Sequence, residues 1–326
     1  MKSNAERNKL AVFMRVLSDQ KQRLQINEFN AQAADCIQLV LQEEKLFASR
    51  IENAAMEIDL SGSNVVLLSG PSGSGKTTTS LKLAKALTAR GREAKVISLD
   101  DFFKNYEDYP LTCDGKKDLE SVYAVDIDLV NSKLYDLVTS GRAVTPQYDF
   151  IMQKRKPEYK EIILKEDGIA VIEGIHALNP LLSESINRDE AFRIYAGLCV
   201  EYYEGEERII STRDIRITRR MIRDFYFRGF SIERTLELWD NLVEGEKKWI
   251  RVFKTQADHI INTSINYEVS VFKELIDGIY ADDTQGGEYR GLLEEIKKRF
   301  VRIVPMAEEI TPDNSMLREF LGGLIL

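Results

Sequence analysis

Gly70-Pro71-Ser72-Gly73-Ser74-Gly75-Lys76-Thr77 meets the pattern G-x-x-x-x-G-K-[ST] at every fixed position. Ahead of it runs Asn64-Val65-Val66-Leu67-Leu68, an apolar β-branched stretch that reads as a buried parallel strand. Behind it, from Thr77 to Arg90, Leu81, Leu83, Ala84 and Leu87 recur at helical spacing, and Gly91 supplies a stop signal. Strand, glycine loop and helix thus come in the order a phosphate cradle needs. The N–H groups of residues 73 to 78 can converge at a helix N-terminus, where unpaired donors and the positive dipole end favour phosphate. Gly70, Ser72, Gly73, Ser74, Gly75, Lys76, Thr77 and Thr78 are therefore the candidate nucleotide-binding residues. Lys76 is placed to reach the β and γ phosphates, and the Thr77 hydroxyl to face Mg²⁺. The expected ligand is a nucleoside triphosphate.

The rest of the chain has the composition of a soluble globular protein, with 44% hydrophobic and 30% charged residues over 326 positions. A formal charge of −8 argues against a nucleic-acid-wrapping surface. Residues 1 to 8 do not lead into an apolar signal core, and no run of about 18 apolar residues occurs, so no membrane span and a cytoplasmic location are expected. Cys36, Cys113 and Cys199 are far apart and odd in number, and read as plain thiols. With only His176 and His259 available, any general base is expected to be a carboxylate.

Residues 1 to 60 contain no Gly or Pro and read as a helical N-terminal extension. One amphipathic stripe is Leu10, Phe13, Met14 and Leu17; another is Ile37, Val40, Leu41, Phe47 and Ile51. Packing on the core and assembly into a homo-oligomer are the two roles open to it. From Ser61 onward, apolar strands alternate with longer amphipathic segments, the pattern of an α/β domain with a parallel sheet flanked by helices over residues 61 to 326. Strands are expected at 65–69, 95–99, 169–173, 193–200 and 258–262. Helices are expected at 127–138, 211–228, 268–280 and 291–302, and a surface loop at 107–118.

Turnover needs more than a phosphate cradle: a carboxylate on the metal side and a group that activates the acceptor. Ile169-Ala170-Val171-Ile172-Glu173 is an apolar strand ending in Glu173, and strand ends in open α/β sheets face the ligand crevice. That makes Glu173 a candidate metal ligand, while His176 just beyond reads as a loop or core histidine. Val96-Ile97-Ser98-Leu99-Asp100-Asp101-Phe102-Phe103 brings two carboxylates to the end of the next strand. One could take the proton of an attacking hydroxyl or orient the metal, and the other could cap the following segment. Between Asp214 and Arg228 lie Arg216, Arg219, Arg220, Arg223 and Asp224; on a helix, 216, 220 and 223 share a face. Such a cluster suits either a phosphate or a set of salt bridges on a solvated helix.

Together these motifs resemble the uridine kinase and phosphoribulokinase family of P-loop kinases, over roughly residues 61 to 265. Ser98-Leu99-Asp100-Asp101-Phe102-Phe103 is similar to that family's Ser-x-Asp-x-Phe-Tyr motif, which puts Asp100 on the catalytic aspartate. Pro146-Gln147-Tyr148-Asp149-Phe150, followed by Arg155, looks like its acceptor-lining segment, and Glu173-Gly174-Ile175 like its Glu-Gly-Ile motif. Asp214, Arg216, Arg219, Arg220, Arg223, Asp224, Arg228 and Gly229 look like its lid helix, here around 211–230. The resemblance implies transfer of the ATP γ-phosphoryl to a hydroxyl of a small molecule. It gives Asp100 as base, Lys76, Arg220, Arg223 and Arg228 on the phosphates, and Thr77, Glu173 and Asp100 for Mg²⁺. Glu120, Tyr148, Arg155 and Arg216 are the acceptor-side candidates. Glu120 stands where an aspartate holding ribose hydroxyls is expected, while Gln153 and Phe230 replace an expected histidine and arginine. Residues 312–323 are similar to the end of a bacterial uridine kinase-like branch. A nucleoside such as uridine is the leading acceptor. The alternatives are a sugar phosphate or pantothenate-like acceptor, or a regulatory ATP-binding protein without efficient transfer.

Overall fold

The computed structural model describes residues 21–112, 115–150, 152–282 and 290–326. The chain begins with β1 (Gln22–Gln25), α1 (Ile26–Ala33) and α2 (Cys36–Ser61), then enters the glycine-loop unit with β2 (Val65–Ser69) and α3 (Lys76–Ala89). It continues through β3 (Ala94–Ser98), α4 (Ile127–Ser140), β4 (Arg142–Thr145), β5 (Tyr148–Asp149), β6 (Lys154–Arg155), β7 (Lys160–Ile163) and β8 (Ile169–Glu173). After β9 (Ala191–Gly197), β10 (Val200–Glu204) and β11 (Glu207–Ile210) come two long helices, α5 (Thr212–Phe227) and α6 (Ile232–Trp249). β12 (His259–Asn262), α7 (Glu268–Asp282), α8 (Arg290–Phe300) and α9 (Arg318–Leu321) complete it.

The central sheet has the order β12-β9-β2-β8-β3, and every neighbouring pair is parallel. A parallel sheet is buried on both faces, which is why its strands are apolar runs with no polar alternation. Val66, Leu68, Val171, Ile194 and Ala196 point into one core, shared with α2 and α3. Val65, Leu67, Ala170, Ile172 and Tyr195 point into another, shared with α4. Among the described residues, no helix is long and apolar enough to cross a membrane.

The five expected strands are present, with one correction. The stretch 193–200 does not run on as a single strand: β9 stops at Gly197, and β10 belongs to a second sheet of order β1-β10-β11. The cause is local, because the N–H groups of Cys199 and Val200 both donate to Ser264 Oγ, at 2.9 and 3.1 Å, and so turn away from the ladder. The first 60 residues also depart from an all-helical reading, since β1 pairs in parallel with β10. Of the second apolar stripe, Val40, Phe47 and Ile51 are buried, whereas Ile37 and Leu41 are 65% and 59% exposed. The buried face of α2 instead runs through Glu43, whose carboxylate accepts from the Asn266 N–H at 3.0 Å and from its side-chain amide at 2.9 Å. A charge on the inner face hides the true stripe from hydrophobic pattern. The first stripe and Cys113 lie outside the described residues. Helix α6 was not expected at all, although Ser231 caps it and Ile232, Leu236, Trp239 and Leu242 line its buried side.

Candidate active site

The glycine loop closes between β2 and α3 because two of its residues adopt positive φ, +73° at Gly73 and +81° at Gly75. At Gly73 a side chain would also press on the Arg216 carbonyl, 2.9 Å from where a Cβ would sit. L-residues with a Cβ avoid that backbone region, so glycine is required there. Lys76 begins α3 and lies buried, with its ammonium donating to the Pro71 carbonyl at 3.1 Å. Burial pushes its pKa down, and Glu173, Glu319, Asp100 and Glu246 pull it back up. Thr77 is exposed at the helix start.

Strand register delivers the carboxylates. Glu173 ends β8 opposite Leu68 of β2 on one side and Ser98 of β3 on the other. The Ser98 hydroxyl donates to Glu173 Oε1 at 2.8 Å. Burial, with Asp100 nearby, raises the Glu173 pKa to about 7. Asp100 lies in the 3₁₀ turn after β3, its N–H donating to Ser98 Oγ at 3.3 Å. Its pKa is also raised, by burial first, against the pull of Lys76, Arg228 and Arg223. The neighbouring aspartate has a separate job, since Asp101 Oδ1 accepts from the Tyr148 N–H at 3.1 Å and pins the β5 segment.

Helix α5 grips the loop through Ser72. The Ser72 carbonyl accepts from Arg216 Nε at 2.8 Å and its hydroxyl from Arg220 Nη1 at 2.8 Å. The Ser72 N–H donates to Glu246 Oε1 at 3.0 Å, and Glu246 is ion-paired with Arg216. One residue of the cradle is thus held by three side chains of α5 and α6. Arg219, fully buried, pairs with Glu268 at 2.6 Å and donates to the Gly73 carbonyl at 3.2 Å. The cations of α5 and its C-terminal end beyond it gather on buried Asp224, with Arg220, Arg223 and Arg228 at 3.2, 2.9 and 3.7 Å. Crowding and burial bring Arg228 down to about 10.

Lys76, Asp100, Glu173, Arg223 and Arg228 therefore meet in one electrostatic cluster, with Arg220 and Glu120 at its edge. The other acceptor-side candidates sit differently. Arg155 donates to the Phe103 and Phe102 carbonyls at 2.9 and 3.1 Å and pairs with Asp126 at 3.0 Å, so its guanidinium is engaged with the backbone after Asp100. Arg216 is engaged with Ser72 and Glu246. Tyr148 is buried in an aromatic group with Phe103 and Phe150, its hydroxyl 3.3 Å from that of Tyr109.

Glu120 is pressed against α6 at Gly245, where a Cβ would collide with its own. Its Oε2 is buried without a hydrogen-bond partner, and burial raises its pKa to about 8. It borders a cavity of about 480 Å³ shared with Arg220, Asn241, Gly245 and Trp249. His176 is buried beside it against the backbone of Trp249 and Glu120, and burial drives its pKa down to about 3, which fixes it neutral. Sequence reasoning missed Glu246, Glu319 and the cavity wall on α6. The Ser231 cap and the helical spacing of 232, 236, 239 and 242 were the available signal for α6; a lone glutamate near residue 319 carries none.

No three carboxylate, histidine or cysteine side chains form a metal cage among the described residues. That donor set still fits Mg²⁺, which takes one or two carboxylates together with phosphate oxygens and water.

The profile of the Phosphoribulokinase / Uridine kinase family matches residues 65–270, more than half of the chain. Uridine kinase of Staphylococcus haemolyticus is 26% identical over 214 residues, 65% of this chain and 93% of that protein. Uridine kinase of Saccharomyces cerevisiae is 25% identical over 200 residues, 60% of this chain. The chain spans only 36% of the length of that yeast relative. Among solved structures, phosphoribulokinase from Rhodobacter spheroides superposes with a TM-score of 0.41 at 14% identity, covering 64% of this chain and 74% of that one. The chain belongs to the Phosphoribulokinase / Uridine kinase family.

Proposed function

We propose that this protein transfers the γ-phosphoryl group of ATP to a hydroxyl of a small molecule, with a nucleoside of the uridine type as acceptor. The observation that carries this reading is the meeting of Asp100, Glu173 and Lys76 at the C-terminal edge of the sheet, under the arginines of α5. Phosphoryl transfer asks for little covalent chemistry; it asks for positioned charge around the moving group and a base for the acceptor proton. The names of the matching relatives support the nucleoside.

In this reading Asp100 takes the proton as the acceptor oxygen forms its bond to the γ-phosphorus and the bond to the β-phosphate oxygen breaks, leaving ADP. Burial makes Asp100 a stronger base than an exposed aspartate. Lys76 leaves the Pro71 carbonyl to meet the β and γ phosphates. Arg220, Arg223 and Arg228 answer the charge on the transferring group, with Asp224 holding them in place beforehand. Thr77, Glu173 and Asp100 are the residues that would hold Mg²⁺, which when bound neutralises charge on the β and γ phosphates. α5, already held on the loop through Ser72 and Gly73, shields this side from water.

The test is ADP release measured across nucleosides, sugars, sugar phosphates and pantothenate, with Asp100→Asn alongside. Acceptor-stimulated turnover that the substitution abolishes is the expected result. ATP binding with no stimulation by any member of the panel would favour a regulatory nucleotide-binding role instead.

A further inference from the structure

Thr78 sits in the first turn of α3, and its backbone N–H is one of the donors that a P-loop aims at nucleotide phosphates. Here that N–H already has a partner. It donates to Glu319 Oε2 at 2.9 Å, a contact between residues 241 positions apart. The segment that delivers this carboxylate is firmly seated. Met316 packs on Gly75, where a Cβ would run into its thioether. Met316, Leu317 and Phe320 are fully buried, and the Arg219 guanidinium lies 5.0 Å from the centre of the Phe320 ring. The Ser315 hydroxyl is 3.1 Å from that of Tyr267. Glu319 itself is only half-buried, so its side chain can swing while α9 stays anchored.

We propose that Glu319 is a built-in occupant of the phosphate cradle, a carboxylate that the nucleotide must displace from the Thr78 N–H, so that α9 sets nucleotide affinity. The physical basis is competition for one site. An anion at a helix N-terminus uses the same donors and the same dipole whether it is carboxylate or phosphate. Two anions cannot share that N–H, and at such range in a partly buried site their repulsion is strong. The cradle is therefore occupied at both ends by carboxylates from outside the glycine loop, Glu246 on the Ser72 N–H and Glu319 on the Thr78 N–H. Glu246 is bound up with Arg216, whereas Glu319 has Thr78 as its hydrogen-bonded anchor, which makes it the one to yield.

The inference rests on the nucleotide reading of the loop, and its test separates the two. Mg·ADP and Mg·ATP are titrated calorimetrically into the wild-type protein and Glu319→Gln, and both proteins are melted with and without Mg·ADP. The expected result is binding about tenfold tighter in the glutamine variant. Its melting point without nucleotide should be lower, because the charge at the helix end is lost, and its rise on adding Mg·ADP larger. A residue with only a structural role would lower the melting point without tightening binding. Equal affinities in the two proteins would overturn the proposal, as would weaker binding in the variant, which would place Glu319 on the metal side. Should Glu319→Gln fail to fold, Glu319→Asp, which keeps the charge but shortens its reach, is expected to move affinity in the same direction by less. If neither protein binds ADP or ATP, the nucleotide reading falls and this inference with it.

Discussion

In the proposed kinase the glycine loop is the donor side and the cavity at Glu120 the acceptor side, and the two are built differently. Around the glycine loop, the hydrogen-bonding groups of Ser72 are all taken, Arg219 is locked to Glu268, and Glu173 is fixed by strand register to Ser98. The partnerless buried atoms of the cradle are the small hydroxyls of Ser74 and Thr78, whereas around Glu120 they include a carboxylate oxygen, Glu120 Oε2, and the Trp249 indole nitrogen. A triphosphate, met mainly by backbone N–H groups, asks little more of the side chains of its frame. A cavity bordered by an unpartnered carboxylate oxygen and indole N–H is one whose ligand completes it.

The most severe test of that contrast is Asp100→Asn, which keeps the shape of the donor side and removes its proton acceptor. Turnover should fall about 10³-fold with ATP affinity little changed, as read from steady-state kinetics and nucleotide titration. A fall of less than about tenfold would put the base elsewhere and dissolve the division between the two sides. Next comes the frame of the donor side. Glu268→Ala leaves the buried Arg219 guanidinium without its carboxylate, and a loss of about 3–5 kcal/mol of stability is expected in urea unfolding.

The acceptor side should respond in its own variable. Glu120→Ala is expected to raise the acceptor KM about 10- to 100-fold, the worth of a strong hydrogen bond in a buried site, while leaving nucleotide affinity unchanged. Equal effects on both substrates would mean that Glu120 serves the lid through Arg220 instead. The last effect is a slope in stability against pH. The Glu120 pKa is about 8 when folded against 4.5 unperturbed, so the folded state binds the extra proton in that window. Its contribution is full below about pH 4.5 and fades as pH rises towards 8, and Glu120→Gln should flatten that part of the curve. His176 has the opposite sign. Lowered to about 3 from 6.5, it favours the folded state above pH 6.5 and loses that contribution as pH falls towards 3.

The same contrast decides how much could be read from the chain. The sheet was legible because parallel strands are buried on both faces and stand out as runs such as Val65–Ser69 and Ile169–Glu173. Asp100 and Glu173 were legible as neighbours of the loop because a strand's C-terminal end has a fixed relation to it. What the sequence hid is placed by long-range packing. β1 is a strand only because β10 offers it an edge, and the inner face of α2 carries Glu43 because Asn266 satisfies it. Arg155 and Arg216 read as acceptor-side candidates, and their partners lie 29 and 30 positions away, at Asp126 and Glu246. No local pattern announces such pairings.

The contacts around the cradle join distant parts of the chain: Thr78 to Glu319 across 241 positions, Ser72 to Glu246 across 174, Arg219 to Gly73 across 146. Each such closure is slow compared with local helix formation, because a long loop must be ordered before the contact repays it. During synthesis, the glycine loop emerges early and stays without these partners until residues 216 to 319 have followed. If Glu319 competes for the Thr78 N–H as proposed, nucleotide affinity should rise along a series of stalled nascent chains as α5 and α6 emerge and fall once α9 is added.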